Sequence, residues 1–250
     1  MAGKRTQVVH DEWETYVSET DAGPVFVSFD VPATQADLTR KLPHCARILI
    51  PIQRPNSSGG PVNPESDRLY EMEDTLCDTL AAAGIDCRLV GRLTHNGTRE
   101  LVFHLASWER FRGPVGAWMI EISDYEIDVS EHEGWDFFND CVRPSPEAWI
   151  FIADRKVVDS LLKAGSNPEK LHALEFVFKG DREGLEGVVG ALAARGYKSQ
   201  GALNLDSGEI VMVKKMKLDV NAIFQESLVH TECAQLNGVD FDGWGAAVVK

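Results

Sequence analysis

The strongest constraint on this chain is a pair of tight-turn signals, His95-Asn96-Gly97-Thr98 and Asp206-Ser207-Gly208, each set between two runs of strand character. Asn-Gly suits a two-residue hairpin because both central residues must take positive φ. The runs it joins are 86–94 and 99–106; the second turn joins 197–205 to 209–216. Hairpins of this kind make their strands antiparallel. A doubly wound parallel sheet has no use for them.

The same order of elements surrounds both turns. In the first half, an apolar strand over 46–52 precedes a helix over 65–83, in which Leu69, Met72, Leu76 and Leu80 recur at spacings of three and four. After the hairpin come a helix over 108–120, interrupted at Gly113-Pro114, and a strand over 125–133. In the second half, a strand over 173–178 leads to Asp181, a cap for the helix 182–195 with its stripe of Leu185, Val188, Val189 and Leu192. Asp219 caps the helix 220–236, and a strand over 241–249 closes the chain. The expected fold class is therefore α+β: two tandem ferredoxin-like sandwiches of order β-α-β-β-α-β, with antiparallel sheets. A hairpin over 13–18 and 25–31 stands in front at the edge of the first domain, followed by a short polar helix over 35–41. Arg143-Pro144-Ser145-Pro146 breaks the chain, with an apolar strand expected over 148–153 and a short helix over 156–163. The expected domains are 1–142 and 171–250, with 143–170 as a connector.

Charge narrows the function. The net charge is −14 over 250 residues. Residues 1–145 hold 13 Lys and Arg against 24 Asp and Glu; residues 146–250 hold 12 against 15. No Lys or Arg falls between Gly113 and Val142, where Glu121, Asp124, Glu126, Asp128, Glu131, Glu133, Asp136 and Asp140 all lie. Such a surface repels phosphates and attracts basic partners, which argues against direct nucleic-acid binding. No apolar run is long enough to span a membrane, and no signal-peptide stretch follows the basic start. Five scattered cysteines, an odd number, read as reduced thiols and place the protein in the cytoplasm.

Catalytic patterns are weak. His230 and Cys233 share a helix face, but no second pair completes a metal site, and His44-Cys45 point apart. No nucleophile elbow or cysteine-protease signature occurs. Gly180, Gly184, Gly187 and Gly190 lack the dinucleotide spacing and read as close packing of a helix on the sheet. On the strand over 125–133, alternation puts Glu126 and Asp128 on one face, opposite Tyr125, Ile127 and Val129. The pair suits cation binding or acid–base work, but a solvent face explains it more simply. The closing turn Asp240-Phe241-Asp242-Gly243-Trp244-Gly245 offers an aromatic flanked by carboxylates, suited to recognition or to capping a core. Glu131-His132-Glu133-Gly134-Trp135 is a weaker echo of it.

Residues 171–250 resemble the bacterial family called regulator of ribonuclease E activity B. The resemblance rests on Leu174-Glu175-Phe176-Val177-Phe178, Gly196-Tyr197 and above all the run from Thr231 to Gly245. Trp13-Glu14-Thr15-Tyr16, Glu73-Asp74 and Val90-Gly91-Arg92-Leu93-Thr94 resemble a domain of unknown function often joined to it. The resemblance implies a ferredoxin-like fold and a non-catalytic role: binding the endoribonuclease and restraining RNA turnover. In this chain the acidity sits in front of the resembling domain rather than within it.

The expectation is a cytoplasmic bacterial regulator, not an enzyme, that binds a protein partner with a basic surface, such as an endoribonuclease. Its candidate binding residues are Glu126, Asp128, Glu131, Glu133, Asp240, Asp242 and Trp244; no cofactor, metal or catalytic residue is expected. Two alternatives remain: a small-ligand sensor built on the tandem domains, and a hydrolase using Glu126, Asp128 or His132.

Overall fold

The computed structural model describes residues 12–35, 38–200 and 208–250. The chain forms two compact units, Met1–Pro144 and Ser145–Lys250. The first holds β1 (Trp13–Thr20), β2 (Gly23–Asp30), α1 (Val31–Gln35), β3 (His44–Pro51), α2 (Glu65–Ala82), β4 (Cys87–His95), β5 (Thr98–Leu105), α3 (Trp108–Glu121) and β6 (Asp128–Glu133). The second holds α4 (Pro146–Lys163), β7 (His172–Lys179), α5 (Arg182–Ala193), β8 (Lys198–Ser199), β9 (Glu209–Met216), α6 (Val220–Leu236) and β10 (Asp240–Ala246).

Both sheets are open and antiparallel in every pairing, so the fold is α+β. The first runs β1-β2-β4-β5-β3-β6 and the second β10-β7-β9-β8. In each repeated run the first strand is central, and one strand separates it from the second. The hairpin turn forms as its residues require: Asn96 and Gly97 take φ of 46° and 75°. The β1–β2 hairpin extends the first sheet at its edge, as expected.

One face of the first sheet packs on α2 and α3. Ala46, Ile48 and Ile50 of β3 meet Leu69, Met72, Leu76 and Leu80 of α2 and Phe111, Val115 and Trp118 of α3. The other face, with Val27, Phe29 and His104, lies under the segment from Trp135 to Val142, which ends in a π-helical turn, Phe138–Val142. The Trp135 ring stacks on His104 at 3.5 Å, and its indole N–H donates to the Leu42 carbonyl at 2.9 Å. In the second unit Leu174, Phe176 and Phe178 of β7 pack with Leu185, Val188 and Leu192 of α5 and Ile223 of α6.

Several expectations change. The strand over 148–153 and the helix over 156–163 are one helix, α4: Ser145 accepts from the Ala148 N–H, Pro146 occupies the first turn, and Ile152, Val158 and Leu161 are buried. A short apolar run does not by itself distinguish strand from helix. The connector over 143–170 thus carries a helix whose Val158 and Leu161 belong to the second core. The helix α3 runs unbroken through Pro114, because Phe111, Val115 and Trp118 anchor one buried stripe across it. The last strand of the first run begins at Asp128, leaving Glu126 before it. The polar helix over 35–41 falls partly on residues outside the description; the helix found beside it is α1, and Leu38 to Leu42 make turns. The strand over 197–205 appears as Lys198–Ser199, with 201–207 outside the described residues.

The α5 glycines do serve close packing, but against the end of α6 rather than the sheet. A Cβ at Gly184 would stand 2.4 Å from the Asn237 carbonyl oxygen, and one at Gly187 would stand 2.1 Å from Asn237 Oδ1; at Gly190 nothing lies within 4 Å. Gly190→Ala should therefore stabilise the protein by about 1 kcal/mol through helix propensity. Gly184→Ala should destabilise it by roughly 1–3 kcal/mol through overpacking. Urea denaturation of the two variants checks the opposite signs.

Candidate functional site

Three acidic residues of the first unit, Asp128, Glu131 and Glu133, lie on β6, an edge strand that among the described residues pairs on one side only, with β3. The strand reaches this edge because Val129 packs on the core formed by β3, α2 and α3. Side chains alternate across a strand, so Glu131 and Glu133 share the face of Val129, whereas Asp128, Ser130 and His132 point the other way. The carboxylates therefore flank both sides of one open edge instead of forming a single patch. Glu126 lies just before it. All four are exposed, as are Glu121, Asp124, Asp136 and Asp140. Among the described residues no Lys or Arg pairs with Glu126, Asp128, Glu131 or Glu133, and the one nearby partner is His44, whose Nδ1 lies 3.6 Å from Glu131 Oε1.

The β3–β6 register sets His44 opposite Glu133 and so assembles His44, Glu131 and Glu133, whose ligand atoms lie within 4.8 Å of one another. One imidazole nitrogen and two carboxylate oxygens suit a divalent cation whose remaining positions are filled by water. Sequence spacing did not show this group, because it depends on strand register rather than on a short motif. The other histidine pairing considered for metal, His230 with Cys233, joins no group of three ligands among the described residues: His230 is enclosed by Phe176, Tyr197 and Phe241, and burial drives its pKa down to about 4.

Nucleophilic chemistry finds little support in the geometry. Ser130 Oγ meets His132 Nε2 at 3.2 Å, and His132 stacks on Phe137. Asp128, four residues from His132 on the same strand, is a full two pleats away and does not orient that ring. Burial raises the Cys45 thiol to about 11 and those of Cys77 and Cys87 to about 12, so all three stay protonated at neutral pH.

The closing turn of the second unit lies on β10, also an edge strand. Asp240 and Asp242 are exposed, and Asp242 pairs with Lys179. Trp244 is half-buried: its ring packs on the second core, and its indole N–H donates to Asp154 Oδ1 at 2.7 Å. Asp154, only 4% exposed, also accepts from Ser227 Oγ at 3.0 Å, while its Oδ2 has no partner among the described residues. Desolvation raises the pKa of this carboxyl, against the lowering effect of the two donated bonds.

Comparison with known families follows the division into units. Residues 11–142 match the model of a family of unknown function, DUF695. The chain belongs to that family. Residues 151–246 match the model of the family Regulator of ribonuclease activity B. The DUF695 region thus precedes the ribonuclease-regulator domain, in the order the resemblance implied. The second match supports regulation of ribonuclease activity as the general functional class. Comparison with curated proteins finds no match. Among solved structures, the crystal structure of an unknown protein from Galdieria sulphuraria is similar at 11% identity, covering 82% of this chain and 99% of that one, with a TM-score of 0.22. No helix among the described residues is long and apolar enough to cross a membrane.

The buried Asp154 gives a pH signature. Its raised pKa means that folding favours the protonated form. The carboxyl therefore costs nothing below the ordinary carboxylate range, and stability falls as pH rises through the raised value. Asp154→Asn keeps an acceptor for Trp244 and Ser227 without the charge, so its urea midpoint relative to the parent should rise between about pH 4 and pH 7. Trp244→Phe should cost about 1–3 kcal/mol by removing a donor from a buried acceptor.

Proposed function

We propose that the protein is a non-catalytic cytoplasmic regulator that binds an endoribonuclease of the ribonuclease E type and restrains it. The observation that carries this reading is the open β6 edge with its exposed carboxylates, which pair with no Lys or Arg among the described residues. The match of residues 151–246 to the ribonuclease-regulator family supplies the class of partner.

The physical case has two parts. Uncompensated carboxylates on one edge set up a field that attracts a basic surface, and ribonucleases need basic surfaces to hold RNA. An open strand edge also presents unpaired backbone groups, which an extended partner segment can meet by strand addition. Charge then sets the encounter and orientation, and the backbone adds affinity. The turn at Asp240, Asp242 and Trp244 is a second candidate contact. There Lys179 offsets part of the charge, and the bond to Asp154 holds the indole in place.

A purified endoribonuclease of this type should bind the full chain at low salt and cleave RNA more slowly in its presence. Raising salt from about 0.05 M to about 0.5 M should weaken the complex by tenfold or more, since the Debye length shrinks below the reach of surface charges. Asp128→Asn with Glu131→Gln and Glu133→Gln should produce a comparable loss at low salt. Asp240→Asn with Asp242→Asn measures the contribution of the second turn. No complex at low salt, or one indifferent to both salt and the β6 substitutions, would rule this reading out.

A further inference from the structure

The helix-covered face of the first sheet holds a group of side chains that the acidic edge does not involve. Arg92 of β4 and Arg99 of β5 are diagonal neighbours there, since Thr94 pairs with Arg99 and Arg92 with Leu101. Above them, Tyr70 and Glu73 lie one helical turn apart on α2. The Tyr70 ring lies over both guanidinium groups, 4.9 Å from Arg92 Cζ and 5.2 Å from Arg99 Cζ. Trp13 of β1 flanks Arg92, with 5.3 Å between its ring and Cζ.

The charges in this group do not balance. Glu73, 3% exposed, accepts from both Nε and Nη2 of Arg92, so its two oxygens are committed to that one guanidinium. Arg99 is 4% exposed and forms no ion pair with a carboxylate of its own among the described residues. Its Nε donates to Thr94 Oγ1 at 2.7 Å and Tyr70 offers a further side-chain hydrogen bond, but its Nη1 has no hydrogen-bond partner among the described residues. An aromatic ring attracts a cation through its flat face and leaves the in-plane N–H edge unsatisfied. One partly buried and one buried cation thus face one buried anion. An unpaired buried charge is strongly unfavourable, and an orphaned buried donor calls for an acceptor.

We propose that the first unit binds a small carboxylate- or phosphate-bearing anion on the guanidinium groups of Arg92 and Arg99 beneath Tyr70. The planar forks of arginine match both kinds of oxyanion, often through two parallel bonds. Access lies on the side of Tyr70, which is 44% exposed and must turn aside to admit the anion. Beside it the same sheet face continues onto the β1–β2 hairpin, where the cross-strand pair Val17 and Phe26 is exposed. That apolar shelf suits an organic body attached to the anion. The site stands independently of ribonuclease binding, because it uses none of the β6 carboxylates.

Titration of the full chain by calorimetry with inorganic phosphate, citrate and acetate, each at ionic strength matched with sodium chloride, tests the proposal. A saturable heat and a matching rise in melting temperature are expected for at least one of them, and which one responds separates phosphate from carboxylate ligands. Arg99→Gln should abolish the response. Glu73→Gln, which removes the competing carboxylate, should tighten it, by about tenfold for the loss of one neighbouring buried charge. A response no different from chloride in the parent protein overturns the proposal, as does binding retained in Arg99→Gln. If that variant does not fold, Glu73→Gln decides: tighter binding supports the site and weaker binding refutes it.

Discussion

Both units depend on the burial of one face of the first strand in each β-α-β-β-α-β run. β3 is paired on both sides, with β5 and β6, and β7 likewise with β9 and β10. Their alternate residues, Ala46, Ile48 and Ile50 in one and Leu174, Phe176 and Phe178 in the other, are fully enclosed by the helices. Burying a large aliphatic or aromatic side chain contributes about 1.5–3 kcal/mol, so these strands hold much of each core. Placing the first strand inside forces the fourth outside. β6 and β10 are consequently both edges, and each carries exposed carboxylates: Asp128, Glu131 and Glu133 on the first, Asp240 and Asp242 on the second. Charged side chains on an edge also discourage unwanted strand pairing, so the acidity protects the sheet whatever else it binds.

The two Gly-Trp echoes acquire a common physical meaning from this arrangement. Each follows or ends a fourth strand, and each tryptophan fixes the chain by donating its indole N–H to an acceptor far away in sequence: Trp135 to the Leu42 carbonyl, Trp244 to Asp154. In the first unit that bond helps hold the Trp135–Val142 segment across the sheet face opposite the helices. In the second it joins β10 to α4. A half-buried indole with its N–H committed has packing as its first role, which leaves the exposed carboxylates beside it as the groups free to meet a partner.

Much of this was legible because the relevant signals are local. The positive φ of Asn96 and Gly97, the stripe of Leu69, Met72, Leu76 and Leu80, and the Asp181 and Asp219 caps each act within a few residues. The helix α4 was misread although Ser145-Pro146 is a helix-start pair, because the apolar run over 148–153 fits either period. The acidic residues were legible as a composition, but their division between two strand faces was not, since Glu126 lies outside β6. Groups assembled by register were hidden altogether. His44 meets Glu131 and Glu133 through the β3–β6 pairing, and Arg92 meets Arg99 across the β4–β5 hairpin beneath α2. No spacing in one dimension announces either group.

The first unit also shows why its surface is so acidic. Arg47, Arg88 and Arg92 are drawn inward to pair with Glu100, Asp30 and Glu73, carboxylates that are themselves almost entirely buried. Each inward pair takes one cation from the surface along with one anion, so most of the excess acid stays outside; Glu65 is buried too, but accepts from the Gln53 and Arg54 backbone N–H groups. Arg99 is a buried cation that pairs with no carboxylate of its own among the described residues, sharing Glu73 with Arg92. The net charge of the unit is therefore separated in space, with negative groups concentrated along an edge and one unmatched positive group beneath a helix. The proposed protein partner and the proposed anion therefore call on groups of opposite charge within the same unit.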